Sequence, residues 1–311
     1  MKLGKGVIML FETQKGVMMP LALTKRKPMI TYPEIDFFEK PCTLTNDALR
    51  YFTDIKNVWS GFRTCYTDHV DFSEALADRS KLPALREFYS KDSEKSEAKL
   101  ETLSKKYGYS FDQPLQFSFS YYENLLDSED PVEHFYAQKW FQYLNALKFI
   151  APKVKMGHES PLEHSILTFK IKNCSRSMTH QLVRHRLASY SQASQRYISE
   201  KPESLDFVIP RKIQENPEAL AMVQKHFSGL GMLISGLKAL GVKNEDIRCI
   251  YPNAMPTDIQ VSMNFRELRH FIQLRLSPHA QDEIRFVAFR LYQHLVNFMP
   301  FLWTDLELEG I

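Results

Sequence analysis

The stretch SILTFKIKNCSRSMTHQLVRHRLASYSQASQRY, Ser165–Tyr197, changes character twice in thirty-three residues. Leu167, Phe169 and Ile171 alternate with Thr168, Lys170 and Lys172, the period-2 pattern of a strand with one buried face. SRSMTHQLVRHRLA then predicts a helix running to about Ala188. SYSQASQRY has no sustained apolar period and reads as a loop.

The end of this stretch, Arg184–Tyr197, holds three arginines, one histidine and five hydroxyl side chains in fourteen residues, and nothing acidic. On a helix reaching Ala188, Gln181, Arg184 and His185 would share a face at i, i+3 and i+4, with Arg186 pointing elsewhere. A helix feeding a loop rich in hydroxyls and arginine suits a bound phosphate, because guanidinium offers a planar fork and serine short donors. Taken alone, such a cluster is more often ordinary basic surface. The absence of acidic partners within a turn of Arg184, His185 and Arg186 weighs against that.

The rest of the 311-residue chain bounds the possibilities. A 44% hydrophobic and 25% charged composition is ordinary for a globular protein. A formal charge of +3 does not mark a nucleic-acid binder. Cys42, Cys65, Cys174 and Cys249 form no CxxC pair, so neither a zinc site nor a disulfide framework is predicted, and a reducing compartment is. The first sixteen residues lack a signal-length apolar run, and no stretch reaches membrane-spanning length. The expectation is a cytoplasmic protein with no bound metal and no membrane or nucleic-acid partner.

Upstream, ITYPEIDFF is a candidate extended segment, and NDALRYFTDIKNVWSGF a helix with Asn46 as cap and Gly61 as stop. KDSEKSEAKLETLSKK alternates charge and reads as a solvated helix or mobile insertion. QFSFSYY alternates like a short strand, and PVEHFYAQKWFQYLNALKFI reads as a helix with Pro131 in its first turn. Downstream, NPEALAMVQKHFSGLGMLISGLKALG is a long helix capped by Asn216, with Pro217 first and Gly241 at its end. NEDIRCIY is a short helix stopped by Pro252. SMNFRELRHFIQLR and QDEIRFVAFRLYQHLVNFM are two more, the latter burying Ile284, Val287, Leu291, Leu295 and Phe298.

Motifs narrow the chemistry by absence. The glycines at Gly229–Gly236 lie within a helix at the wrong spacing for GxGxxG, and no GxxxxGK[ST] occurs, so Rossmann and Walker loops are excluded. HESPLEH is not HExxH, since His158 and His164 are six apart. In SMNFRELRHFIQLRLSPHAQDEI, Arg266, His270 and Gln273 share a helical face, while Leu268, Phe271, Ile272 and Leu274 anchor the helix in a core. The bland reading makes Arg269 and Arg275 favourable helix-end charges. Arg248, beside Cys249 and Ile250, is expected to be at least half buried and to need an anion, either Glu245 or a ligand.

Together these residues resemble the flavin-dependent thymidylate synthases. The signature is Arg184, His185, Arg186 and, after seven residues, Ser194. GHESPLEHS resembles the family's segment before a strand. SMNFRELRHFIQLRLSPHAQDEI resembles its C-terminal asparagine–arginine helix and arginine-x-x-x-histidine-alanine-glutamine segment. RTCY, Arg63–Tyr66, resembles its early helix-end motif. The likeness is nearly unbroken over residues 157–300.

The resemblance implies an α+β (α/β) fold with a mixed sheet flanked by helices. One catalytic domain over residues 1–311 is expected, and the chain departs from the family pattern by an N-terminal extension (about 1–45) and a largely helical insertion (about 67–145). It implies reductive methylation of dUMP, with methylenetetrahydrofolate giving the carbon, reduced FAD the hydride and NADPH reducing the flavin, in a homotetramer with shared sites. Flavin contacts would fall to Ser160, Arg184, His185, Arg186, Gln192, Asn264, Phe265, Arg266 and His270. Nucleotide contacts would fall to Gln181, Leu182, Val183, Arg184, Gln192, Ala193, Ser194, Gln195, Arg196, Arg248 and Arg275. Arg275 would favour the ionised uracil ring, and His158 and His279 would lie near the flavin. Gln192 stands where many members carry glutamate, and His270 where some carry asparagine. Two other readings are a degenerate member that binds without turnover or acts on another pyrimidine nucleotide, and an RNA-binding protein using the Arg184–Tyr197 loop.

Overall fold

A computed structural model of the chain describes residues 10–11, 19–20, 33–37, 58–61, 79–110, 119–196 and 206–309. Its centre is a four-stranded sheet of β1 (Glu34–Phe37), β2 (Ile166–Ser175), β3 (Ala188–Gln192) and β4 (Pro256–Asn264), in the spatial order β1-β2-β4-β3. Every pairing in this sheet is antiparallel. The α+β expectation holds, but where a mixed sheet was expected the described strands contain no parallel pair. The connections between neighbouring strands are long and helical, yet they return each strand in the opposite sense.

The β2–β4 ladder carries the core. Leu167 faces Met263, Phe169 faces Val261 and Ile171 faces Ile259, and all six side chains are buried. Thr168 and Ser262, opposite one another on the other face, join hydroxyls at 2.9 Å. The ladder shifts register between Ile171 and Cys174, where Asn173 has φ +56° and its N–H donates to the Asp258 carboxylate at 3.1 Å. This is a β-bulge with an asparagine in the left-handed region.

Two helices cover the apolar face. α6 (Phe265–Arg275) lays down Phe265, Leu268, Phe271 and Ile272; Leu274, predicted to anchor it, is 46% exposed. α7 (Asp282–Phe298) buries Ile284, Val287, Leu291 and Leu295 as predicted. The side chain of Phe298 is outside the described set.

The charge-alternating segment is helical, as the first of its two readings has it, but one face of it is buried. It lies in α1 (Leu82–Tyr107), where Ser96, Leu100, Leu103 and Tyr107 form a buried stripe at spacings of four, three and four. That stripe joins Trp140, Leu144 and Leu147 of α3 (Pro131–Lys155) in the main hydrophobic core. Tyr107 donates its hydroxyl to the Leu276 carbonyl at 2.7 Å and Tyr109 to the Asp282 carboxylate at 2.9 Å, so the helix end is fastened where α6 passes to α7. Within QFSFSYY the structure describes only Phe119 onward, and there it forms a helix, α2 (Phe119–Leu125), rather than a strand. Phe119 and Tyr122 are drawn onto Trp140, and aromatic packing at spacing three overrides the alternation.

Two further boundaries move. The helix from Ser175, α4 (Arg176–Leu182), stops six residues short of Ala188. Arg184 N–H reaches back only three residues, to Gln181 O, and Leu182 O accepts from His185 N–H at 3.1 Å; the Tyr190 hydroxyl lies between Leu182 O at 2.9 Å and His185 O at 2.7 Å, with one proton to donate. Ala188, read as the helix end, and Ser189–Gln192, read as loop, pair as β3 (Ala188–Gln192) with β4. Ser262–Asn264, read as helix, belongs to β4, a strand the sequence reading missed. α5 (Pro217–Ala239) begins as predicted, with the Asn216 side chain accepting from Glu218 and Ala219 N–H, and Gly241 follows its end at φ +78°. It builds a second apolar cluster with Phe207, Ile209, Ile247 and Met255. RTCY and the helix from Asn46 fall outside the described residues, save 58–61, which are helical. Among the described residues, no helix is long and apolar enough to cross a membrane.

The fastening of α1 has a measurable consequence. Leu103→Ala should destabilise the protein by about 2–5 kcal/mol in urea unfolding at fixed protein concentration. Glu101→Ala, on the exposed face, should stay within about 0.5 kcal/mol of the parent.

Candidate functional site

The early end of α4 fixes where the signature residues stand. The Ser175 hydroxyl accepts from Met178 N–H at 2.9 Å as N-cap. The same hydroxyl and its backbone N–H donate to the buried Glu283 carboxylate at 2.5 and 2.7 Å. Burial pushes the Glu283 carboxyl up, and the Ser175 bonds partly offset this. Beyond Leu182 the chain turns, so Arg184, His185 and Arg186 are not helical, and the predicted shared face of Gln181, Arg184 and His185 does not exist.

What the turn does instead is drive His185 inward, to 4% exposure, while Arg184 and Arg186 stay outside. His185 packs edge-on against Phe271, 4.9 Å between ring centres. Its Nδ1 is 2.8 Å from Glu267 Oε1, and Arg275 Nε donates to its Nε2 at 3.1 Å. A guanidinium N–H can only donate, so Nε2 accepts and Nδ1 carries the proton given to Glu267. Burial draws the imidazole below its ordinary range; the Glu267 bond opposes this and the neighbouring Arg275 charge adds to it. Burial also lowers the Arg275 guanidinium from its usual value. Arg275 Nη2 lies 3.4 Å from Gln181 O, and the Gln181 amide donates to Gln281.

Donor atoms of His185, Glu267 and His270 all lie within 4.8 Å of one another, a grouping that could hold a metal ion. Both His185 nitrogens are already engaged and a guanidinium stands beside them, so the hydrogen-bond arrangement accounts for the cluster as it is.

α6 owes its start to Asn264, whose side chain accepts from Glu267 N–H at 2.8 Å. This caps the helix and sets Glu267 in its first turn. Phe265 is buried, Arg266 is exposed and pairs with Glu163 at 2.5 Å, and His270 is exposed. Ser160, also exposed, opens a short 3-10 turn that packs near α6 through the Phe265 N–H to Ser165 O bond of 3.0 Å. His158 is exposed. His279 is exposed too, 3.6 Å from Glu309.

The other end of β3 holds a second group. Gln192, inside with Ala188 and Tyr190, donates its amide to Thr179 Oγ1 at 3.0 Å, and that hydroxyl donates to Arg176 O at 3.0 Å. A carboxylate could not supply the first bond. The Ala193 carbonyl accepts from Arg176 Nη2 at 2.6 Å and its N–H donates to Asp258 O at 2.9 Å, which fixes where Ser194 and Gln195 begin. The Ser194 hydroxyl accepts from Arg196 N–H at 3.3 Å. Arg196 reaches Glu245 at 3.7 Å and lines an open cavity of about 420 Å³ with Val242, Lys243, Asn244 and Glu245. Arg248 follows in the same turn. It is exposed rather than half buried, and Glu245 does not neutralise it. β3, five residues and roughly 16 Å long, joins the His185 turn to this group along the chain. Among the described residues, no hydrogen bond or ion pair joins Arg248 to Arg275.

The sequence reading missed four organising residues: Glu267, Arg176, Gln281 and Arg269. Arg269 was taken as a helix-end charge. It is buried and bound to Glu159 at 2.8 Å, to Asp305 at 2.7 Å and to the Leu302 carbonyl. Burial alone would lower its pKa; the Asp305 and Glu159 pairs outweigh that and raise it. In contrast, the side chains of Arg184, Arg186 and Arg248 have no hydrogen-bond or ion-pair partner among the described residues.

A family model described as thymidylate synthase complementing protein matches residues 50–301. A flavin-dependent thymidylate synthase of Thermococcus kodakarensis is 50% identical over 143 residues, 45% of this chain and 58% of that protein. One from Pyrococcus horikoshii is 44% identical over 156 residues, 49% of this chain and 64% of that protein. One from Geobacter sulfurreducens is 38% identical over 157 residues, 50% of this chain and 68% of that protein. The chain thus aligns with under two thirds of the length of the first two. A solved UMP/dUMP methylase of Streptomyces cacaoi, bound with 5-Br dUMP, overlaps 51% of this chain and 79% of its own at 20% identity. The TM-score of that overlap is 0.47.

The buried Arg269 group can be tested directly. Asp305→Ala leaves a buried guanidinium half paired and should cost about 3 kcal/mol in urea unfolding. Glu163→Ala, at the exposed Arg266 pair, should cost less than about 1 kcal/mol.

Proposed function

The chain belongs to the thymidylate synthase complementing protein family, and from that premise we propose that it is a flavin-dependent thymidylate synthase converting dUMP to dTMP. The observation that carries this reading is the state of its arginines. The fold pairs Arg269 inside the core, yet leaves the side chains of Arg184 and Arg186 in the signature, and of Arg248 outside it, exposed and without an ion-pair partner among the described residues. Uncompensated guanidinium beside serine hydroxyls is a donor set for phosphate and pyrophosphate. It fits a flavin dinucleotide held without a glycine loop. Arg184, His185, Arg186, Asn264, Phe265, Arg266, His270, Gln192 and Ser160 would hold the FAD. Gln181, Leu182, Val183, Arg184, Gln192 to Arg196, Arg248 and Arg275 would hold the nucleotide.

Chemically, uracil C5 must attack the methylene carbon donated by methylenetetrahydrofolate, so electron density must move from the ring onto C5. Arg275 is tethered through Nε and Nη2. Its Nη1 has no protein partner among the described residues and can face the ring at N3 and its neighbouring oxygen, stabilising the developing anion. Bound FAD, reduced by NADPH, supplies the hydride. Ser194 has no histidine or lysine hydrogen-bonded to its hydroxyl among the described residues, so it binds rather than attacks. Gln192 is a donor to Thr179 and has no acid–base role.

The same reading takes the chain as one catalytic domain with an extension (about 1–45) and an insertion (about 67–145). It takes the protein as a cytoplasmic homotetramer whose sites are completed across subunits.

Purified protein should be yellow, with flavin absorption bleached by NADPH, and should release tritium from C5-labelled dUMP when methylenetetrahydrofolate is present. Bleaching without tritium release would indicate a binder without turnover; colourless protein that FAD cannot reconstitute would end the proposal. Arg275→Lys should lower kcat by about 100-fold. Ser194→Ala should lower activity by about tenfold, the worth of one hydrogen bond to an anion, without abolishing it; a trapped Ser194 adduct would contradict the binding role.

A further inference from the structure

We propose that Glu267 is a positioning residue that sets the orientation of Arg275 through the tautomer of His185. Its importance for catalysis rests on the uracil-facing role given to Arg275 above.

The argument begins with donors and acceptors. Neutral imidazole carries one proton, and in water the two tautomers interconvert freely. Arg275 can use His185 only if Nε2 is bare, because Nε–H of guanidinium is a donor and two donors facing one another repel. Glu267 Oε1, 2.8 Å from Nδ1, supplies the acceptor that keeps the proton on Nδ1 and leaves Nε2 open to Arg275 at 3.1 Å. A second ring nitrogen fixed by its partner is the usual way a histidine's working nitrogen is defined.

Each part of this chain is itself held. Glu267 is 6% exposed, and its backbone is fixed by the Asn264 cap at 2.8 Å. His185 is clamped against Phe271. Tyr190 places a hydroxyl 2.7 Å from the His185 carbonyl, so the turn that carries the ring is tied to β3. Arg275 ends α6, where a side chain with several free torsions would otherwise sweep solvent. Two contacts on one edge, to His185 Nε2 and Gln181 O, remove most of that freedom and leave Nη1 to a ligand. The neighbouring groups agree with a neutral His185. Arg275 and the exposed His270, ring centre 5.6 Å away, disfavour a second proton on the ring, and Glu267 alone favours it. Protonation would cost the Arg275 contact outright.

The experiment compares Glu267→Gln and Glu267→Leu with the parent, with two readouts. The first is ¹⁵N NMR of histidine-labelled protein at pH 8, which reports the His185 tautomer whether or not the enzyme turns over. The parent should show Nδ1–H. Glu267→Gln keeps a side-chain oxygen acceptor and should retain it. Glu267→Leu removes the acceptor and should shift His185 towards Nε2–H. The second readout is kcat for tritium release against the Kd for dUMP. Glu267→Leu should lose about 100-fold in kcat, the scale of a small misplacement of a reacting group, with dUMP affinity changed less. Glu267→Gln should recover to within about tenfold of the parent.

An Nε2–H or fully protonated His185 in the parent would overturn the proposal. So would Glu267→Leu at parental kcat, or Glu267→Gln falling as far as Glu267→Leu, which would assign the effect to charge. Stoichiometric Zn²⁺ binding by the parent that disappears in Glu267→Gln would replace the proposal with a metal site at His185, Glu267 and His270. No tritium release from the parent would count against the thymidylate synthase reading alone, since the tautomer measurement stands apart from it.

Discussion

The register of the β2–β4 ladder is the constraint from which the rest of the structure follows. Ile166 faces Asn264 at its end, and Phe265 N–H continues the contact to Ser165 O. That fixes the residue at which β4 gives way to α6. Asn264 is therefore the N-cap, Glu267 sits in the first turn and Arg275 at the last. A one-residue slip would turn Leu167, Phe169 and Ile171 away from α6 and α7 and would rotate the α6 side chains with them. The bulge at Asn173 protects this register, because the extra residue is absorbed where the Asp258 carboxylate can meet a freed N–H.

Charge is distributed with the same economy. Inside, Arg269 has the opposite charges of Glu159 and Asp305, while the buried Glu283 carboxyl is held by two neutral Ser175 donors. A buried guanidinium without such partners would be costly, and the folded chain contains none among its described residues. Outside, the side chains of Arg184, Arg186 and Arg248 have no hydrogen-bond or ion-pair partner among the described residues, and water can solvate them. His185 lies between the two regimes. It is buried like a core residue, and it links a carboxylate to a half-buried arginine.

The helical insertion belongs to the same architecture. Its stripe of Leu100, Leu103 and Tyr107 enters the core that also holds α6 and α7, and the Tyr107 and Tyr109 hydroxyls reach the Leu276 carbonyl and Asp282. Those two contacts flank the loop that follows Arg275. Movement of α1 is thereby coupled to the segment that ends the arginine-bearing helix, through rigid packing and two hydrogen bonds.

Much was legible in the sequence because it is local chemistry. The alternation in Leu167–Lys172, the Asn216–Pro217 start of α5, the apolar face of α7 and the spacing of Arg184, His185, Arg186 and Ser194 each depend on residues close in the chain. They were read correctly as β2, α5, α7 and a family signature. Decisions that depend on distant partners were not legible. Ala188–Gln192 offers only two apolar residues at period two, and it is a strand because β4 lies beside it. The helix from Ser175 ends at Leu182, and the turn beyond it is held from a distance by the Tyr190 hydroxyl, which lies beside Leu182 O and His185 O. Arg269 and Glu267 look like surface charges in a helix, and only the fold brings Asp305 to one and His185 to the other. Sequence determined which residues carry charge and where they fall along the chain; tertiary structure decided which of them are already satisfied, because ion pairs and hydrogen bonds form between side chains that the chain's own order keeps far apart.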